Sequence, residues 1–159
     1  MAMAKKRTHP LIEGLFSFEG RMRRSEYWLI SIGMGVVKLP LGFLLTLFGV
    51  EIATVGRALL ELLFLWPSVA LMVKRGHDRN RPALYTVGVL VALIVVSFLG
   101  SFLAVAGVSY AGPLLMGAIF IYVFIDYGCL DGTQGPNRYG RSPKGIGGDA
   151  DAKLADVFA

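Results

Sequence analysis

Cysteine is nearly missing from this chain: Cys129 is the only one in 159 residues. No disulfide can form within the chain, and no metal site can be built from thiolates. Charge is scarce too, at 17% of residues against 55% hydrophobic, where soluble domains carry about a quarter charged residues. The zinc-hydrolase spacing H-E-x-x-H is absent, as are a Walker loop and any glycine-rich phosphate motif after a strand. Ser25 and Ser142 have no nucleophile-type surroundings. These absences argue against an enzyme and against a bound metal or other cofactor. The basic start, Met1 to Arg7, is not followed by an apolar signal-peptide core. The next apolar block begins near Tyr27 and is too long for one, so it is expected to stay as a membrane anchor.

What the chain does have is apolar sequence in blocks. Mean hydropathy is +0.61, and the apolar residues gather in four runs separated by short charged or glycine-containing segments. A spanning helix needs about 20 mainly apolar residues to cross ~30 Å of hydrocarbon. Four candidates meet that length, at about 26–50, 53–73, 83–106 and 112–129. They lack the alternating polarity of barrel strands, and an open sheet edge cannot sit in lipid. The predicted fold is therefore an all-α integral membrane protein, its four transmembrane helices arranged as two antiparallel hairpins. Residues 16–143 form this membrane domain, between an N-terminal segment over 1–15 and a glycine- and aspartate-rich flexible tail over 144–159.

Lysine and arginine set the orientation. Lys5, Lys6, Arg7, Arg21, Arg23 and Arg24 precede the first span. Lys74, Arg75, Arg79 and Arg81 lie between the second and third, and Arg138, Arg141, Lys144 and Lys153 follow the fourth. The two opposite connections have neither residue. Both termini and every basic segment are thus expected in the cytoplasm. Tyr27, Trp28, Tyr85 and Tyr127 near that edge, and Tyr110 at the other, suit headgroup depth. The net charge of +5 is accounted for by this arrangement beside anionic lipid, and nucleic acid is not an expected partner.

Three ionisable residues fall inside the spans: Lys38, Arg57 and Glu61. Each costs about 2.5–3.5 kcal/mol at the bilayer centre unless it meets protein or water. Arg57 and Glu61 are four apart on one helix, a spacing that allows pairing. Lys38 lies about 18 Å from one edge and Glu61 about 14 Å from the other, at 1.5 Å per residue. One charge cluster between the first two helices is the expectation, serving either to fix helix register or to line a transport path. In the third span Ser97, Gly100, Ser101 and Ala104 form a face of small residues, suited to packing within the monomer or to self-association.

More specific patterns lie outside the spans. Phe16-Ser-Phe-Glu-Gly-Arg21-Met-Arg-Arg24-Ser-Glu26-Tyr-Trp28 precedes the first helix, and Arg75-Gly-His77-Asp78 closes the second. Asp131-Gly-Thr-Gln-Gly-Pro-Asn137-Arg-Tyr139-Gly-Arg-Ser-Pro143 follows the fourth. Orientation alone requires none of these pairings of residue types. In this order around four apolar helices they resemble the family called domain of unknown function 805, over about Phe16 to Pro143. Gly76 departs from the family's pattern, where relatives often carry leucine. The resemblance implies a small bacterial inner-membrane protein and names no activity.

The three segments are expected to meet at one membrane face. There Arg21, Arg24 and Arg75 can pair with Glu26, Asp78, Asp126 and Asp131. With His77, Asn137 and Tyr139 these residues form the candidate cytoplasmic site. Its leading reading is a clamp that closes the bundle and binds lipid headgroups or a protein partner through arginine forks. A small transporter or channel component using Lys38, Arg57 and Glu61 is the alternative. A membrane enzyme using His77 and Asp78 comes third, since adjacency in sequence does not make a base and its orienting acid.

Overall fold

The computed structural model describes residues 15–145. The expected N-terminal segment and tail lie almost wholly outside the described residues. Four helices are long and apolar enough to cross a membrane. Helix α1 spans Arg24–Thr46, α2 Val50–Asp78, α3 Ala83–Val105 and α4 Ala111–Val123. A π-helical turn, Phe124–Cys129, continues α4 to 19 residues. Among the described residues the β structure is limited to one isolated bridge, Asn137 with Gly140.

Local chemistry accounts for the helix ends. The Glu26 carboxylate accepts the Arg23 backbone N–H at 3.1 Å, satisfying one of the orphan donors where α1 begins. Gly49 takes φ +96° in the turn into α2, a conformation that side chains resist. At the other end of α2, Asn80 takes φ +59°. Its N–H donates to His77 O at 3.0 Å, and that of Arg81 to Gly76 O at 2.9 Å. This is a Schellman motif with asparagine in the usual glycine position.

Three features differ from those read by hydropathy. The first helix ends at Thr46 rather than near residue 50, and Val50 already opens α2. The second helix runs to Asp78 rather than ending near residue 73, so Lys74, Arg75, His77 and Asp78 are helical. Hydropathy marks contact with lipid, and these four side chains are buried within the protein instead. The fourth apolar run loses its α geometry after Val123 while staying helical to Cys129.

Helices α1 and α2 pack as one hairpin, α3 and α4 as the other. Contact between α2 and α3 joins them, and α1 reaches the second hairpin through the π turn. Most large apolar side chains point outward, as lipid-facing residues do, while much of the buried set lies at the polar end of the bundle. That interior is rich in charge: Lys74, Arg75, His77, Asp78 and Asp126 are buried there beside Tyr127 and Thr86.

Of the small-residue face of α3, Gly100 packs inside the chain, whereas Ser97, Ser101 and Ala104 are exposed. A Cβ built on Gly100 would lie 2.8 Å from Gly112 Cα, so the two glycines let α3 and α4 cross backbone to backbone. Gly88, on the same helix, has open space around it. Gly100→Ala is therefore expected to lower stability by about 1–3 kcal/mol, the usual cost of overpacking, and Gly88→Ala to leave it unchanged. Thermal unfolding of both variants in detergent would check the contrast.

Candidate functional site at the polar end of the bundle

Arg75 is the most enclosed charged side chain, with no solvent exposure. Its Nη1 meets Asp78 Oδ2 at 2.5 Å, one helical turn on. Its Nε donates to Tyr127 O at 2.8 Å, and Nη2 donates to Leu130 O. The guanidinium thus joins the end of α2 to the π turn. Carbonyls at a helix C-terminus lack intrahelical donors and attract cations, and this turn meets that need with side chains from several elements. Arg24 Nη1 donates to Cys129 O at 2.8 Å, Trp28 Nε1 to Gly128 O at 3.1 Å and Arg79 Nη1 to Asp126 O at 3.0 Å.

Asp78 is held from two sides. Arg21, 1% exposed, meets its Oδ1 at 2.9 Å through Nη2. Arg21 then reaches Thr133 O and Gly135 O, each at 2.7 Å, so the segment before α1 is bound to the one after the π turn. Thr133 returns its backbone N–H to Asp78 O at 2.8 Å and its hydroxyl at 3.0 Å. Gly132 passes so close that a Cβ there would lie 1.8 Å from Asp78 Oδ2. Asn137 Nδ2 donates to His77 O at 2.9 Å, completing the cover over the end of α2.

The other expected residues fall around this knot. His77 stacks on Tyr139 with ring centroids 3.8 Å apart, and its Nδ1 sits 3.2 Å from Gly20 O. Asp78 is occupied by the two arginines, so the pair His77 and Asp78 does not form a base with its orienting acid. Asp126 pairs with Arg79 and Arg81, neither of which had been assigned to the site, and accepts the Tyr85 hydroxyl at 3.2 Å. Asp131 lies farther out, bridging Arg24 at 3.0 Å and Lys144 at 2.8 Å. The Lys144 hydrogen bond holds the Asp131 carboxyl below its usual value. That bridge therefore contributes at any pH above about 4, and is lost only as acid titrates the folded carboxylate. Glu26 serves the start of α1 and does not pair with these arginines. Among the described residues no group of three histidine, cysteine or acidic side chains is placed to hold a metal, and every buried side-chain nitrogen or oxygen has a hydrogen-bond partner.

The intramembrane residues form a second arrangement. Lys38 Nζ and Glu61 Oε2 meet at 2.6 Å between α1 and α2. Arg57 departs from the expected pairing with Glu61: it turns to α1, where its Nε donates to Gly42 O at 3.4 Å. All three line a cleft of about 1060 Å³ between α1, α2 and Phe120 of α4.

The family described as "Protein of unknown function (DUF805)" matches residues 15–141, which contain the motif residues from Phe16 to Gly140 and the intramembrane Lys38, Arg57 and Glu61. The chain belongs to the DUF805 family. It is 32% identical to the "Uncharacterized protein YiiR" of Escherichia coli K12 over 145 residues, covering 89% of this chain and 96% of that one. It is 28% identical to the "Inner membrane protein YhaI" over 134 residues, 84% of this chain and 92% of that one. With the "Inner membrane protein YhaH" of the same strain it shares 26% over 138 residues, 84% and 93%. No solved structure matches. In this DUF805 chain, Gly76 lies where α2 crosses α3, and a Cβ there would meet Thr86 Oγ1 at 3.4 Å.

Buried and exposed pairs should respond differently. Arg75→Met leaves Asp78 with Arg21 alone and takes the donors from Tyr127 O and Leu130 O, and is expected to cost about 3 kcal/mol, the lower end of the loss when one partner of a buried pair is removed. Arg24→Gln or Asp131→Asn, in a pair that is 43% and 49% exposed, should leave the melting temperature almost unchanged. Thermal melts with folded yield in detergent would rank them.

Proposed function

We propose that this is a non-enzymatic protein of the bacterial inner membrane, with its polar end in the cytoplasm, where it binds the headgroups of anionic phospholipids. The basic segments before α1, between α2 and α3, and after the π turn support that orientation. The names of the relatives YhaI and YhaH support the membrane.

The supporting observation for lipid is a division of labour among the arginines. Arg21 and Arg75 are spent inside the clamp. Arg23, Arg24 and Lys144 instead border an open pocket of about 510 Å³ with Ser25 and Trp28. Arg24 and Lys144 share one carboxylate, Asp131, and Arg23 donates to the Pro143 carbonyl, so the pocket keeps an excess of positive charge. Trp28 stands at the start of α1, at the depth where indole rings favour headgroups. Arginine forks and lysine ammoniums are the groups that bind phosphate, and juxtamembrane cations gain about 1 kcal/mol each near anionic lipid.

Mass spectrometry of the protein extracted with native lipid would test the reading. Anionic phospholipid should remain bound to the wild type, and the triple change Arg23→Gln, Arg24→Gln, Lys144→Gln should lose most of it without unfolding. Equal retention of zwitterionic and anionic lipid would overturn the assignment. Reporter fusions after Ala159 should read as cytoplasmic; a periplasmic reading would reverse the orientation.

A further inference from the structure

The cleft beside Lys38 serves no part of the clamp. Along α1 its wall runs from Tyr27 to Phe43, about 24 Å at 1.5 Å per residue, so it follows the helix through most of the hydrocarbon. Gly35 and Gly42 keep that wall low. The walls are otherwise mainly apolar, and the polar groups gather in one stretch. There Lys38, Arg57 and Glu61 face the opening with two positive charges against one negative.

Arg57 makes the imbalance costly. Its residue surface is exposed, its Nε has one long bond to Gly42 O at 3.4 Å, and among the described residues its two Nη atoms meet no acceptor. Lys38 already holds Glu61, whose side chain is 67% exposed. A guanidinium at that depth, about 10 Å along α2 from its start, needs protein, water or an anion around it, and the one carbonyl it reaches leaves both Nη atoms open to an anion.

We propose that this cleft is a binding site for a long-chain amphiphile with one anionic head, a carboxylate or a phosphate monoester. The head forks onto the free Nη atoms of Arg57 beside Lys38, and the chain lies along the apolar walls of α1 and α2. A cleft of about 1060 Å³ matches the upper range of small-molecule sites, about 300–1,000 Å³. Lys38 and Arg57 set the sign of selection, and Glu61 repels excess negative charge, so the site favours a monoanionic head, a carboxylate or a singly protonated phosphate monoester, over a dianion of about −2. This site is separate from the headgroup pocket at Arg23, Arg24 and Lys144.

Photolabelling of the full chain in nanodiscs would test the assignment, with a diazirine-bearing long-chain carboxylate, its methyl ester, and an alkyl phosphate of the same length. The carboxylate is expected to label peptides within residues 35–43 and 57–61, at least tenfold more efficiently than the ester. The phosphate arm separates the two head chemistries: competition by the alkyl phosphate shows a site that takes either anion, and its failure restricts the site to carboxylates. Arg57→Gln should abolish the preference, whereas Glu61→Gln should strengthen it. Equal labelling by carboxylate and ester in the wild type would overturn the proposal, whether or not the variants fold. Unchanged labelling of Arg57→Gln, or label confined to residues 23–28, would overturn it as well.

Discussion

The buried guanidinium of Arg75 is the interaction on which the rest of the polar end depends. It lies in a protein whose outer surface is largely apolar, so its charge has to be answered within the chain. Asp78 neutralises it, and Tyr127 and Leu130 supply carbonyl oxygens. Each of those partners draws in another segment. Asp78 needs a second cation and receives Arg21, and Arg21 needs acceptors and finds them at Thr133 and Gly135. Replacing a buried ion pair by apolar residues is often neutral in energy. What the network adds here is a fixed position for four helix ends that lipid alone would leave free to slide.

The π turn is the complement of that network. An α-helix carried on to Cys129 would direct its carbonyls along its own axis. The wider turn ends the helix with carbonyls aimed at Arg24, Trp28, Arg75 and Arg79. Single-turn π segments are rare and often mark functional places in helices. Here the turn also brings Gly128 against the Trp28 ring, where a Cβ would lie 2.6 Å from Cζ2. The aromatic at the membrane edge is thereby locked to the last helix.

Sequence alone exposed the helices because their apolar runs answer to lipid, a uniform solvent that leaves a plain signature. It also exposed the members of the polar end, since Arg21, Asp78 and Asn137 stand in patterns that orientation does not require. It could not show who pairs with whom. Arg79 and Arg81 looked like ordinary basic loop residues, yet both serve Asp126. Arg57 and Glu61 had the spacing of a helical pair, but that spacing does not compete with a neighbouring helix: Lys38 takes Glu61, and Arg57 turns to Gly42. The π turn left no trace in composition, because it arises from carbonyls that distant arginines pull out of register.

The clamp also imposes an order in time. Asp78 and Thr133 are 55 residues apart, an interval of roughly 3–11 s at the 5–20 residues per second of synthesis. The first three helices are complete well before Thr133, Gly135 and Asn137 exist to cover the end of α2. During that interval Arg75 has only its helical neighbour Asp78 as a protein partner, and the half-built bundle shows the surrounding water and lipid a charge that the finished protein hides. A chain cut short after α3 would keep that charge exposed, so completeness of the C-terminal segment is written on the surface as the presence or absence of one arginine.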